Sequence, residues 1–249
     1  MDQGYVDRED ARRQAFGAIW RDEIDEVFAD VAHYYDRANV YATLGLLTPL
    51  RRSFTSTIEV HPGDRVLDVC AGTNVIGIDL LKREPSLEVH AIDRSRAMQA
   101  VGGEVARSQG LHIRSYIGDV HRLPFPDNHF DVVTLQWATR HLRVLEALSE
   151  IYRVLRPGGR FYHCDMLRPA NRVVERTYYL YLTGCVALIS WAFRSKSAAL
   201  RCRHYFVDAI RLFYSTDEFS SVLSQLGFYD VAGRSVLLGT VAFHKARKR

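Results

Sequence analysis

Short apolar runs alternate with amphipathic stretches through the middle of the chain. Five of these runs suit strands that are buried on both faces: Arg65–Val69, Glu88–Ile92, Ile113–Ile117, Phe130–Leu135 and Arg160–Cys164. Helical patterns separate the runs, over residues 75–83, 95–108 and 142–155. Strands that alternate with helices pair in parallel through right-handed crossovers. The pattern therefore predicts an α/β fold with a mostly parallel sheet.

The flanking regions are more helical. Residues 1–27 form a polar helical pattern with Phe16, Ile19, Trp20 and Ile24 on one face. After residue 170 the alternation pauses for an uncharged helical stretch, and a helix and a hairpin across Gly239 follow. We expect one domain that comprises an N-terminal helical cap (1–58), a core (59–169), a helical lid (170–205) and a C-terminal helix with a hairpin (206–249).

The composition is that of a soluble globular protein, with 249 residues, 47% of them hydrophobic and 25% charged. The uncharged stretch Thr177–Phe193 is at the lower limit of the roughly 17–25 residues that span a bilayer. It favours a buried helix, or one lying at a bilayer surface, over a transmembrane span. The N-terminus has no apolar segment typical of a secretion signal. We expect a cytoplasmic protein, with peripheral attachment to a membrane as a further expectation.

Cysteines and charges indicate neither a metal site nor a disulfide scaffold. The cysteines show no C-x-x-C spacing and read as free thiols: Cys70, Cys164, Cys185 and Cys202. The formal net charge is +4, and much of it lies in the last six residues, 244–249. We expect this basic end to be solvated, while contact with the phosphates of lipid or nucleic acid stays an alternative.

Acidic residues close three successive predicted strands, where open α/β sheets bind their ligands. Asp68 closes the first, and Gly72 in the turn after it lets backbone approach a ligand closely. Asp93 closes the second, about 20 residues later, where a carboxylate can accept both ribose hydroxyls of an adenosine. Asp119 closes the third. Asp93 alone could merely cap the next helix, but the three together predict an adenosine site, and Asn74 in place of a further glycine argues against NAD.

Three segments resemble the ubiquinone/menaquinone-biosynthesis C-methyltransferase family, a branch of the class I S-adenosylmethionine methyltransferases: residues 66–73, 123–131 and 152–160. The last two recur across class I methyltransferases and support the class more than the substrate. Further matches are Phe16-Gly17, a motif over 28–39, Arg140, Arg168-Pro169, Tyr205, Ile210, 226–228 and 239–244. The resemblance covers roughly residues 16–245. It implies a Rossmann-like fold with a seven-stranded sheet, a terminal antiparallel hairpin, and S-adenosyl-L-methionine as cofactor.

The resemblance also implies roles for single residues. Thr73 would lie near the methionine part of the cofactor and Asp93 at its ribose. Asp119 and Val120 would flank the adenine, and Gln136 would line the cofactor after the fourth strand. The complete set of predicted cofactor-binding residues is Asp68, Gly72, Thr73, Asp93, Asp119, Val120 and Gln136.

Two neighbouring residues are the catalytic candidates for methylation of a phenol or hydroquinone ring carbon. Removing the phenolic proton makes an aryloxide whose ring carbon is nucleophilic, and a base with a pKa near neutrality suits this step. Our hypothesis is that Arg140 stabilises the oxyanion while His141 accepts the proton, directly or through water. The alternative for His141 is a packing role beside Trp137. His141 stands where the family has asparagine, so the acceptor is less well indicated than the cofactor.

The predicted acceptor is a small molecule, and a prenylated ring is the first candidate. The aromatic, arginine-flanked segment 170–200 suits a prenylated ring delivered from a membrane surface, although a plain core helix is the alternative. A natural-product or phospholipid-amine acceptor is another candidate, because acceptor choice resides in the lid. A catalytically silent cofactor-binding subunit is a third possibility. No nucleic-acid partner is expected, since the chain lacks an aromatic-proline motif after the fourth strand. The sequence leaves homodimer formation open.

Overall fold

The computed structural model describes residues 1–23, 26, 45–192 and 203–249. Its strands are β1 (Arg65–Val69), β2 (Glu88–Asp93), β3 (Arg114–Ile117), β4 (Phe130–Gln136), β5 (Leu155–Met166), β6 (Phe228–Val236) and β7 (Val241–Lys248). Its α-helices are α1 (Gln3–Asp22), α2 (Leu47–Thr57), α3 (Val75–Arg83), α4 (Arg96–Ser108), α5 (Val144–Val154), α6 (Arg172–Ala192), α7 (Arg203–Arg211) and α8 (Thr216–Gln225). Two 3-10 turns are Thr139–His141 and Leu237–Gly239.

All seven strands form one sheet in the order β3-β2-β1-β4-β5-β7-β6. The pairs from β3 to β5 are parallel, and β7 runs antiparallel to both of its neighbours. The order reverses between β1 and β4, so the carboxyl ends of these two strands open the crevice where such sheets bind ligands. The predicted fold class, with its terminal antiparallel hairpin, is confirmed.

Successive residues of the central strands feed two separate hydrophobic clusters, one on each face of the sheet. Leu67 and Val133 belong to one cluster, and Val66 and Val132 belong to the other. All four side chains are fully buried. Helices therefore cover both faces, which explains why these strands read as continuous apolar runs rather than as alternating ones.

The segment around Pro157 departs from the prediction. The preceding helix ends at Val154, close to the predicted residue 155, but β5 begins directly at Leu155 and not at the predicted Arg160. Leu155 pairs with Phe130, and the pairing register then shifts before Arg160 pairs with Val132. Residues 156–159 therefore form an irregularity inside a long strand, where Gly158 takes a φ of +74°.

The basic C-terminal end is also placed differently from expectation. β7 extends to Lys248 and lies between β5 and β6, so its backbone pairs with a strand on each side. Lys245 Nζ lies 2.6 Å from Glu59 Oε1, and Lys248 Nζ donates to Asn128 Oδ1 over 2.8 Å. The expectation of a solvated end was wrong, because the sheet requires these residues as a strand.

The cap and lid are helical in the parts described. In α1, the side chains of Phe16 and Trp20 are buried, as their spacing predicts. The predicted lid, 170–205, contains α6 and the start of α7, and within the described ranges no helix combines the length and apolar character needed to cross a membrane. The predicted positions that lie outside the described residues are Ile24, the motif over 28–39, Phe193 and Cys202. The division of the chain into a cap, a core and a lid stays a prediction.

Candidate active site

A single cavity at the carboxyl ends of β1, β2 and β4 brings most of the predicted residues together. Eight of the nine predicted site residues line it: Asp68, Gly72, Thr73, Asp93, Val120, Gln136, Arg140 and His141. The ninth, Asp119, lies between Gly118 and Val120, which both line the cavity. The empty space amounts to about 1360 Å³, part of it open to solvent. The residues predicted to bind the cofactor and those predicted to act on the acceptor therefore line one cavity.

The turn after β1 is held against α4. Asn74 takes a left-handed φ of 60°, a conformation that asparagine tolerates better than most residues. Gln99 Nε2 donates to Asn74 Oδ1 over 2.8 Å and to the Gly72 carbonyl over 3.0 Å. One helical turn further on, a Cβ at Gly102 would lie 2.6 Å from the carbonyl carbon of Thr73. The absence of a side chain at Gly102 therefore lets α4 hold this turn tightly.

Asp93 connects the turn to the end of β2. Its Oδ2 accepts the Gly72 N–H over 2.8 Å, and its Oδ1 accepts the Ser95 N–H over 2.8 Å. Ser95 Oγ in turn caps α4 by accepting from Met98 N. The carboxylate thus supports the helix start and also lines the cavity, while its role at a ribose stays a prediction. The two N–H donors fix the carboxylate in one orientation.

Asp68 lies deeper, at the end of β1. Its carboxyl is buried and accepts the hydroxyl of Thr134 over 2.6 Å. Burial, together with the nearby charge of Asp93, raises the pKa of Asp68 to about 7, although the hydrogen bond from Thr134 lowers it. Near neutral pH this carboxyl is therefore divided between its neutral and charged forms.

We expect Asp68→Asn to stabilise the protein against unfolding at pH 8 by about 2 kcal/mol, measured by urea denaturation without added cofactor. Below about pH 4 both the folded and the unfolded protein carry the proton, so burial of Asp68 costs nothing. As the pH rises from about 4 to about 7, the unfolded chain ionises Asp68 while the folded protein keeps the proton, so the folded protein loses stability; above about 7 the carboxyl is charged in both states and the loss is complete. Asparagine keeps an acceptor for Thr134 and never ionises. An equal effect of the substitution at pH 4.5 and pH 8 would contradict this assignment.

Asp119 is bound by His121. Its Oδ1 accepts the His121 backbone N–H over 2.9 Å and lies 2.5 Å from the ring Nδ1. The hydrogen bond from the ring is the main reason why the pKa of Asp119 lies well below its usual range. His121 Nε2 accepts from Arg143 N over 3.1 Å, so the ring proton is on Nδ1 and faces Asp119. A role of Asp119 at the adenine stays a prediction.

Arg140 lies in the 3-10 turn after β4. Its side chain is largely buried and forms an ion pair with Asp165 of β5, which is fully buried. Nη1 also donates to the Trp137 carbonyl over 3.0 Å. The guanidinium lines the cavity, so its charge acts on any ligand bound there. Asp165 thus orients Arg140.

His141 is buried beside Arg140 and also lines the cavity. Its Nδ1 lies 2.5 Å from the Tyr205 hydroxyl, which accepts the indole N–H of Trp20 over 2.8 Å. Burial lowers the pKa of His141 well below its usual value, and the charges of Arg140 and Arg12 lower it further. His141 is therefore neutral at pH 7, as a proton acceptor must be, but its lowered pKa makes it a weaker base than the near-neutral one that the sequence hypothesis requires.

Sequence reasoning missed several residues that line the cavity: Leu47, Arg51, Arg94, Met98, Trp137 and Met166. Arg94 follows Asp93 directly, and Met98 lies in the first turn of α4, so proximity to a predicted strand end could have indicated both. Leu47 and Arg51 come from α2, and no local signal connects that helix to the strand ends.

Comparisons with known proteins agree with this geometry. A model of the ubiE/COQ5 methyltransferase family matches residues 18–248. A demethylmenaquinone methyltransferase from Symbiobacterium thermophilum is 33% identical over 232 residues, which are 91% of this chain and 92% of that protein. The ubiquinone/menaquinone biosynthesis C-methyltransferase UbiE of Dinoroseobacter shibae is 31% identical and covers 90% of each chain.

Solved structures share the fold at low sequence identity. A SAM-dependent methyltransferase from Thermotoga maritima superposes with a TM-score of 0.61 and 16% identity, over 90% of this chain and 99% of that chain. The [4+2]-cyclase SpnF superposes with a TM-score of 0.59 and 17% identity, over 80% of each. The fold therefore accommodates different reactions, and the reaction has to be argued from the site.

Proposed function

We propose ring C-methylation of a quinol for this chain, on the premise that it belongs to the ubiE/COQ5 methyltransferase family. It is an S-adenosylmethionine-dependent methyltransferase. The observation that carries the proposed acceptor chemistry is that Arg140 and His141 line the same cavity as Gly72 and Asp93. A cation and a neutral imidazole thus lie where an acceptor would meet the cofactor.

The residues at the strand ends fit the adenosine part of the cofactor. The Asp93 carboxylate is oriented by two backbone N–H groups and lines the cavity, where it would accept the ribose hydroxyls. A Cβ built on Gly72 meets nothing within 4 Å, which leaves room for a ligand against the backbone. Thr73 would hold the methionine part, and Val120 would pack on the adenine. The bound cofactor would supply a methyl group on a positively charged sulfur.

Arg140 and His141 would act on the acceptor. The guanidinium of Arg140 favours the aryloxide form of a phenol, because opposite charges attract strongly in a largely buried site. His141 can take the phenolic proton on Nε2 when its Nδ1–H is donated to Tyr205. The Tyr205 oxygen has a second lone pair for this bond beside the one that Trp20 uses. Tyr205 and Trp20 would therefore keep His141 in the tautomer that a base needs.

Incubation with labelled S-adenosylmethionine and a panel of demethylated quinols, phenols and lipid amines tests the proposal, with mass detection of each product. We expect the label on a ring carbon of a quinol. Label on a phenol oxygen or on a lipid amine would replace the proposed acceptor. Label on no small molecule, together with tight cofactor binding, would favour a silent cofactor-binding subunit.

Exposed apolar side chains on α6 and at the hairpin tip, with basic residues on α6, support delivery of a prenylated acceptor from an anionic bilayer. Val173 and Leu180 of α6 are 71% and 76% exposed, and Leu238 at the hairpin tip is 81% exposed. Arg172 and Arg176 lie on the same helix. Apolar side chains flanked by arginines favour binding at the interface of an anionic membrane. We include such peripheral binding in the proposed function.

We expect Leu180→Glu and Leu238→Glu each to lower the fraction of protein that floats with phosphatidylglycerol vesicles, by about tenfold in the binding constant. Burial of one leucine side chain in the bilayer is the free energy that each substitution removes. Val105→Glu, at an exposed apolar position of α4, is the matched control and should bind normally. Flotation of all three variants like the unmodified protein would exclude this surface as the membrane contact.

A further inference from the structure

A buried ion pair in α1 contacts the backbone of the segment that carries Arg140 and His141. Arg12 is completely buried, and its Nη1 lies 2.5 Å from Oε1 of Glu9. The guanidinium lies over the rings of Trp20 and Phe213, with distances of 5.3 Å and 5.0 Å to the ring centroids. Tyr214 donates its hydroxyl to the same Glu9 oxygen over 2.9 Å. Burying a charged pair is costly, and Arg12 Nε has no hydrogen-bond partner within the described residues, so the pair depends on the hydrogen bonds that its other atoms make.

The remaining hydrogen bonds of the pair go to both sides of the candidate catalytic turn. Arg12 Nη2 donates to the Arg140 carbonyl over 2.9 Å. Glu9 Oε2 accepts from Val144 N over 2.7 Å. Val144 is the first residue of α5, whose N-cap residue Arg143 makes no side-chain capping hydrogen bond. Glu9 thus caps α5 from another helix, and a carboxylate at a helix N-terminus is electrostatically favourable.

The two contacts complete the hydrogen bonding of the segment 140–144. Arg140 N donates to Asp165, while the next two backbone N–H groups bond within the 3-10 turn. Arg143 N donates to His121, and Val144 N donates to Glu9. Every backbone N–H of the segment therefore has a named acceptor. Without α1, Val144 N and the Arg140 carbonyl would lose their buried hydrogen-bond partners.

We propose that Glu9 and Arg12 are positioning residues, which set the place of Arg140 and His141 in the cavity through the backbone on either side of them. The proposal rests on the methyl transfer proposed above. The two residues lie before residue 18, where the match to the family model begins. Arg12 is 128 residues from Arg140 in sequence, so the docking of α1 is what brings the two together.

The positive charge of Arg12 also acts on His141. Burial, Arg140 and Arg12 together lower the pKa of His141, whose ring otherwise faces the Tyr205 hydroxyl. Loss of Arg12 should therefore raise the pKa of His141 as well as loosen the turn. If Arg12 only stabilised the fold away from the turn, its loss would change neither the pKa of His141 nor the position of the turn.

The experiment compares Arg12→Met, Arg12→Lys and Glu9→Gln with Arg13→Met in the full chain. Arg13 lies next to Arg12 and pairs with Glu146 of α5 over 3.2 Å, but its side chain is 58% exposed. Four quantities are measured: the cofactor Kd by calorimetry, kcat with a quinol acceptor, amide hydrogen exchange over 140–144, and the NMR titration of His141. If Arg12→Met does not fold, the same quantities are measured in Glu9→Gln and Arg12→Lys.

We expect Arg12→Met to lower kcat by roughly 10²-fold, since small misplacements of catalytic groups have effects of this size. Exchange should become faster at 140–144 but not in β1 or β4, and the His141 titration should move to higher pH. Cofactor Kd should stay within about twofold, Arg12→Lys should recover part of kcat, and Arg13→Met should behave as the unmodified protein. Unchanged exchange at 140–144 in folded Arg12→Met and Glu9→Gln would overturn the proposal. Because exchange and NMR need no acceptor, that result is distinct from a failure of the proposed reaction.

Discussion

Replacing Asp93 with alanine is expected to lower the affinity for S-adenosylmethionine on the order of 10²–10⁴-fold while the protein stays folded. The carboxylate is the group we assign to the ribose hydroxyls, and two hydrogen bonds to a charged acceptor contribute about 1.5–3 kcal/mol each. Asp93 also receives the Gly72 and Ser95 N–H groups. Its loss therefore releases the turn as well as the ligand. Calorimetry with the cofactor and with its demethylated product measures the effect directly.

Two further variants make this result specific. Asp93→Asn keeps one acceptor oxygen and should fall between alanine and the unmodified protein. Asp127→Ala removes an exposed carboxylate that pairs with Arg153 on the surface, so it controls for the change in net charge. Unaltered cofactor affinity in Asp93→Ala would remove Asp93 from the site and with it the main support for adenosine binding at this edge of the sheet.

The arrangement of the sheet and most of the cavity could be predicted because they depend on local features. Buried strands leave continuous apolar runs, and parallel strands bring their carboxyl ends to one edge. Asp68 and Asp93 could therefore be placed together without any knowledge of their contacts. Arg140 was identified through the family resemblance instead, and it lies near them because it follows β4. Their roles in binding and catalysis stay predictions that the experiments above test.

Contacts between distant segments could not be predicted. The helical spacing in α1 indicates which face is buried, but it carries no information about what covers that face. Glu9 and Arg12 read as an ordinary pair three residues apart on a helix, and their bonds to residues 140 and 144 depend on how α1 docks. His121 is similar, since its bond to Arg143 depends on the loop before β4.

The errors in the fold have a common physical origin. The residues around Pro157 favour a turn in a short peptide, and the basic C-terminus favours exposure to solvent. In the folded protein, both segments instead form hydrogen bonds with neighbouring strands of the sheet. At Pro157 the strand accommodates the turn-forming residues as a shift in register. At the C-terminus, Lys245 and Lys248 are drawn into a strand because β5 and β6 both need a partner.

Arg140→Met is expected to lower kcat by about 10²–10³-fold with little change in cofactor affinity, the effect typical of losing one group that stabilises a developing oxyanion. Methionine has a similar length but no charge, so a phenolic acceptor would lose the cation that favours its ionised form. Single-turnover assays with saturating cofactor measure the methyl-transfer step itself. Arg143→Met, three residues along at an exposed ion pair with Glu146, is the control and should retain activity.

Arg140→Met is also expected to lower the stability of the protein, and this effect has to be separated from the effect on kcat. Asp165 is fully buried and pairs with Arg140, so Arg140→Met leaves a carboxylate without its cation, a defect that typically costs about 3–5 kcal/mol of stability. The double variant Arg140→Met/Asp165→Asn removes that unpaired charge and should recover stability in urea unfolding. If its kcat stays as low as that of Arg140→Met, the guanidinium acts on the acceptor. If activity returns with stability, Arg140 serves only to neutralise Asp165, and another group must stabilise the aryloxide.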